Sequence, residues 1–206
     1  MPARMTGAHP RSRVSLYCLT IAFEFVMVGY VWLLGLRPAG KRIRDLIGGK
    51  WDKPGDFFKD VGIAFIFWLV VVAYLVSTGL VFGKNPGSLD AMKAMSPRSA
   101  VEIVLWVALS VSAGFCEELV FRGYLQRQFY ALTGMAPAAV ICQALVFGAA
   151  HLYQGVQGAA VIAGYGALFG ILAASRNSLR PGMIQHGAQD TFTGLLVSIA
   201  IRHKLI

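Results

Sequence analysis

Residues 116–124 read CEELVFRGY and close a long apolar run, SAVEIVLWVALSVSAGF at 99–115, interrupted only by Glu102. A run of this kind suits a membrane-spanning helix, which needs about 20 mainly apolar residues. Glu117, Glu118 and Arg122 do not suit one. A charged side chain near the bilayer centre costs at least about 2.5–3.5 kcal/mol on insertion scales, so three of them in a turn and a half need partners or a function.

The composition places the rest of the chain in the same solvent. It is 56% hydrophobic and 14% charged, with a mean hydropathy of +0.61, whereas soluble domains carry about 25% charged residues. These values predict an integral membrane protein. The 206 residues are enough for one bundle, and no repeat, low-complexity tract or linker divides them, so 1–206 reads as a single membrane domain. The formal charge of +9 is not a nucleic-acid signature. Lys and Arg lie mostly in short loops between apolar runs, where they act as topology signals facing anionic headgroups. Cys18, Cys116 and Cys142 all sit in apolar stretches without zinc-ligand spacing and read as buried thiols.

Six apolar runs are candidate spans: Val14–Leu36, Phe57–Phe82, a helix of about 97–134 that carries the opening motif, Pro137–His151, Val156–Ser175 and Pro181–Ile201. Period-two alternation is absent, and lipid forces each segment to satisfy its own backbone, so the expected fold class is an all-α polytopic transmembrane bundle of about six helices. The first run follows Arg4, Arg11 and Arg13. Its length and the lack of a small-residue cleavage site argue against a removable signal peptide. The basic stretch KRIRDLIGGKWDK at 41–53 dominates the loop charges, and it favours a cytoplasmic 37–59 loop with both termini outside.

Residues four apart share a helix face, and three such pairs fall in the apolar part of the chain: Glu118/Arg122, Phe147/His151 and His186/Asp190. Glu118 and Arg122 have the order and spacing of an ion pair. Glu117 is rotated by about 100° from Glu118 and is free to face elsewhere. One glutamate is then available for structure and the other for chemistry, although both can also share Arg122 in one satisfied cluster. His151 ends the fourth run, while His186 and Asp190 lie early in the sixth, at depths that allow convergence with Glu117 inside the bilayer.

EELVFR, FGAAH and HGAQD together resemble the Glu-Glu-x-x-x-Arg, Phe-x-x-x-His and His-x-x-x-Asn/Asp motifs of the CPBP family, also called Abi. That family comprises the intramembrane CAAX-processing and bacteriocin-processing proteases. The resemblance covers about 99–201, the expected protease core. It implies an all-helical intramembrane hydrolase in which Glu117 and His151 activate water, His186 and Asp190 stabilise the developing oxyanion, and Glu118, Arg122 and Phe147 support the site. It also implies a membrane-associated or prenylated peptide as substrate, and the small chain resembles bacterial members of the bacterial cell membrane. Some relatives have been described as metalloproteases, which makes Glu117, His151, His186 and Asp190 alternative zinc ligands. The His-Glu-x-x-His helix motif is missing, so the expected cofactor is none. Cys116 points about 100° away from Glu117 and is not the expected nucleophile.

Glu24, alone in the first span, reads by default as packing glue for a hydroxyl or histidine, with a second functional carboxylate and a substrate entrance as alternatives. Gly164, Gly166 and Gly170 have the spacing of a close helix contact. Two other functions compete with proteolysis: a non-catalytic immunity or scaffold protein, and a transporter with a Glu117/Arg122/His151 relay. No inverted repeat or paired broken helix supports the transporter.

Overall fold

The computed structural model describes residues 12–83 and 85–206. Arg4 and Arg11, which flank the first apolar run, lie outside the described residues, as does Lys84 in the loop before 86. Each of the six apolar runs forms a helix, and no strand occurs among the described residues beyond one isolated bridge between Gly48 and Ser178.

Helix α1 (Arg13–Tyr30) begins at Ser12, whose hydroxyl accepts from the Ser15 N–H at 3.2 Å, and it continues as a π-helical turn over Val31–Leu36. A short α2 (Ile43–Ile47) follows. Then come α3 (Pro54–Phe82) and α4 (Pro86–Met95). The helix of the opening motif starts as α5 (Ala100–Glu117), capped by Ser99, widens into a π-helix over Glu118–Leu125, and ends as α6 (Gln126–Thr133). Gly134, with φ of 66°, takes the left-handed position that stops it. Helices α7 (Ala136–Ala150), α8 (Gly155–Arg176) and α9 (Arg180–Arg202) complete the bundle, and Asn177 ends α8 in the same left-handed conformation.

Among the described residues, four helical stretches are long and apolar enough to cross a membrane: Arg13–Leu36, Pro54–Phe82, Ala100–Thr133 and Leu152–Arg176. The fourth and sixth apolar runs fall short of that standard for different reasons. Helix α7 has only 15 residues. Helix α9 is long, but Gln185, His186, Gln189 and Asp190 break its apolar character. Outward-facing surface confirms the solvent: Phe58, Phe65, Ile66, Leu80 and Val81 of α3 are all exposed, as only a lipid environment tolerates at this density.

Backbones approach closely where the site is built. A Cβ on Gly114 of α5 would lie 2.7 Å from the Gly187 nitrogen of α9, so the two helices meet backbone to backbone. Likewise a Cβ on Gly164 of α8 would overlap the Tyr74 hydroxyl of α3. Polar side chains then tie helices together through main-chain carbonyls, the membrane substitute for hydrophobic association. Tyr74 donates to the Val161 carbonyl at 2.8 Å, Gln143 to Gly166 at 3.0 Å and Gln126 to Gly170 at 3.0 Å. The glycines read from spacing as a close contact therefore also present acceptors to α6 and α7.

The basic loop does more than mark topology. Arg127 of α6 donates to the Asp45 and Leu46 carbonyls at 3.0 Å each, and Arg180 stacks 4.5 Å over the Trp51 ring. These contacts pin α2 across one end of the bundle. Leu46 joins Val28, Val31, Leu119 and Phe121 in the buried cluster beneath the polar site.

Candidate active site

The two adjacent glutamates part where the winding changes. Glu117 is the last residue of α5 and Glu118 the first of the π-helix, a kind of irregularity that recurs at functional sites. The Glu118 side chain is 1% exposed and the Glu117 side chain 19%. They serve different surroundings.

Glu118 is enclosed. Its Oε1 lies 3.0 Å from Arg122 Nη1, a close ion pair without hydrogen-bond alignment, and 3.0 Å from His186 Nδ1. Arg122 is held further by Nη2 donating to the Gly166 carbonyl at 3.3 Å and by its guanidinium lying 4.2 Å over the Phe147 ring and 5.1 Å from that of Phe169. Phe147 carries the other motif on its opposite neighbours: its ring centroid is 4.7 Å from that of His151 and 4.9 Å from that of Phe121. The three helical pairs read from the sequence are thus one connected cluster.

Glu117 faces a cavity of about 320 Å³. His151, His186 and Asp190 line the same cavity, so all four residues expected at the site converge on one space from α5, the end of α7 and α9. His186 is the hub. Its Nε2 lies 3.7 Å from Glu117 Oε2 and 3.6 Å from Asp190 Oδ2, distances that one bridging water or a small ring movement would close. Because a carboxylate can only accept, Glu118 fixes the proton on His186 Nδ1. His151 caps α7, and its Nδ1 is 2.9 Å from the Phe147 carbonyl, which also can only accept. A neutral His151 therefore keeps its Nε2 lone pair free.

Several walls of this cavity escaped the motif reading. Helix α4 contributes Met92 and Met95, and its Met95 carbonyl accepts from the Tyr17 hydroxyl of α1. Its mixed sequence PGSLDAMKAM has no long apolar run to reveal it. Trp106 is the other omission. Its indole donates to the Asp190 carbonyl at 3.1 Å and lies against Gly194, setting the depth of α9. Glu24 does what glue requires, with its Oε2 accepting from Ser112 Oγ at 2.5 Å, but it also lines the cavity. Of the three cysteines read as buried thiols only Cys116 is buried; Cys18 is exposed on the outer face of α1 and Cys142 is half-buried, because apolar runs that face lipid need not bury their side chains.

A family model described as Type II CAAX prenyl endopeptidase, Rce1-like, matches residues 99–192. This segment, a little under half of the chain, is similar to the CAAX protease family. The match contains Glu117, Glu118, Arg122, Phe147, His151, His186 and Asp190 and leaves out α1, α3 and α4. Comparison with curated proteins and with solved structures gave no match. In general terms, the match supports a CAAX-type intramembrane protease acting on a membrane-associated peptide, and together with the long apolar helices it supports an integral membrane protein.

Among the described residues no three His, Cys, Asp or Glu side chains are grouped to hold a metal ion. His186 has Nδ1 engaged by Glu118 and keeps Nε2 toward Glu117 and Asp190.

Proposed function

We propose that the protein is a multi-pass endopeptidase that hydrolyses a peptide bond of a membrane-associated or lipidated peptide with water activated by Glu117. The observation that carries this reading is the convergence of Glu117, His151, His186 and Asp190 on one cavity while Glu118 is turned away into Arg122. Water within the cavity gives a proton to the Glu117 carboxylate, and its oxygen bonds to the scissile carbonyl carbon. His151, with Nε2 free, shares that proton. The oxyanion is met by Nε2–H of His186 and by Asp190. Three carboxylates surround the His186 ring, at 3.0, 3.6 and 3.7 Å, and suit an imidazolium that donates from Nε2. When the C–N bond breaks, the proton passes from Glu117 to the leaving amine.

The scaffold reading accounts less well for this division of labour. A scaffold needs the Glu118/Arg122 pair but no second glutamate facing open space. The test is cleavage of a library of membrane peptides by the purified protein in detergent. Cleavage is expected, and it is expected to survive exhaustive chelation. Stoichiometric zinc whose removal abolishes cleavage and whose return restores it would convert the four residues into ligands.

Asp190 has two ways to serve the oxyanion: as a protonated donor, or as an anion that keeps His186 charged. Its side chain is 39% exposed to the cavity, and His186 already has Glu118 and Glu117 beside it, so His186 does not depend on Asp190 alone. Direct donation is the better reading. Asp190→Asn is then expected to keep activity within about tenfold and to extend it to higher pH, because an amide does not ionise. Collapse of activity at every pH, with peptide binding unchanged, would assign Asp190 to holding His186.

A further inference from the structure

Glu24 stands apart from the residues that share its cavity. It comes from α1, which precedes the family match, and none of the three motifs contains it. It is 2% exposed, and Ser112 occupies only Oε2. Oε1 takes no hydrogen bond among the described residues, on a side chain that lines the cavity. A buried carboxylate with one oxygen unused inside a membrane segment is costly unless something arrives to meet it.

Asp190 and His186 sit beside Glu117 as the oxyanion's donors, Glu24 is a further carboxylate in the wall, and no Lys or Arg among the described residues lines the cavity. The two histidines have their Nδ1 atoms committed to Glu118 and to the Phe147 carbonyl. Beside these groups stand apolar walls from Leu75, Met92, Met95 and Leu109, with the Trp106 ring among them. Such a lining matches a long side chain with an apolar stem and a cationic tip: methylenes pack on Met and Leu, a cation is attracted to an indole face, and the tip needs a carboxylate. The chain as a whole carries a formal +9, which makes the lack of Lys and Arg among the described residues of the lining a local feature of this cavity rather than a consequence of composition.

We propose that Glu24 is a specificity-determining residue whose carboxylate receives the cationic end of a lysine or arginine side chain of the peptide bound in the cavity. This deepens the protease reading and rests on it for the peptide nature of the guest. Ser112 holds the carboxylate in place from α5, the helix that also carries Glu117, so recognition at Glu24 is registered against the catalytic glutamate through a rigid element.

The experiment uses fluorescent 20-residue apolar peptides carrying a single lysine, moved one position at a time, and their norleucine counterparts. Dissociation constants are measured for the full chain in detergent, with cleavage followed separately. Wild type is expected to prefer lysine by about tenfold at one or two positions, the size of a charge-assisted hydrogen bond. Glu24→Gln is expected to bring that ratio close to one, and Glu24→Asp to retain part of it. Acetyl-lysine peptides on the wild-type protein should lose the preference too, a test that stands if the glutamine variant does not fold. A lysine/norleucine ratio near one in wild type overturns the proposal, as does a ratio that Glu24→Gln leaves intact while weakening both peptides equally. A lysine preference in binding with no cleavage of any peptide would leave Glu24's role standing and remove the protease reading. Cleavage without the preference would do the reverse.

Discussion

Glu117→Gln is expected to lower peptide hydrolysis by a factor on the order of 10² or more, with thermal stability in detergent nearly unchanged. The size follows from the role. A glutamine of the same shape cannot take a proton from water, and general acid–base catalysis is worth about 10²–10⁴-fold. The unchanged stability follows from the surroundings. Among the described residues Glu117 makes no hydrogen bond or ion pair shorter than its 3.7 Å approach to His186, whereas Glu118 one residue later is locked to Arg122 and His186 at 3.0 Å. The matched variant Glu118→Gln should show the opposite balance, losing stability first. Cleavage by Glu117→Gln within a few-fold of wild type would remove Glu117 from the mechanism.

Arg122→Ala is expected to reduce folded yield and thermal stability, at a cost of about 3–5 kcal/mol. The guanidinium is fully buried, and four partners meet it: the Glu118 carboxylate at 3.0 Å, the Gly166 carbonyl at 3.3 Å and the rings of Phe147 and Phe169 at 4.2 and 5.1 Å. Truncation leaves Glu118 with His186 as its one cationic partner among the described residues and opens a void between two aromatic rings. Activity should fall with stability, because the freed Glu118 pulls on His186 and the Phe147 ring no longer has a fixed plane against His151. Arg122→Lys should be intermediate, since an ammonium restores the charge but not the planar stack. The measurement is thermal unfolding of the purified variants alongside folded yield. Normal melting and normal yield for the alanine variant would mean that the pair contributes nothing to the bundle.

The helices were legible because their cause is local. Runs such as IAFEFVMVGYVWLLGL and FIFWLVVVAYLV can satisfy their backbones in lipid only as helices, and their ends were marked by Ser99, Gly134 and Pro181 through capping and φ restrictions that act within a few residues. Helix α4 was missed for the converse reason: an amphipathic segment of 10 residues that lies over a cavity needs no apolar run. Likewise the basic 41–53 stretch read only as a topology signal, and packing alone showed Arg127 reaching the carbonyls of α2.

By itself, the sequence determined the class of solvent, the all-helical fold and the three pairs of polar residues, since hydropathy and i, i+4 spacing are properties of the chain alone. Which face each glutamate takes was beyond it. Four-residue spacing pairs Glu118 with Arg122, but that His186 Nδ1 comes to the same oxygen depends on how α9 lies against α5, and a backbone contact at Gly114 and Gly187 sets that. The π-helical turn from Glu118 to Leu125 is likewise a compromise between helix winding and tertiary packing. Glu24 shows the division most plainly. Its burial was readable from the apolar residues around it, but its place in the wall of the cavity with Glu117 was decided by the packing of α1 on α5, a contact between residues 88 apart in the chain.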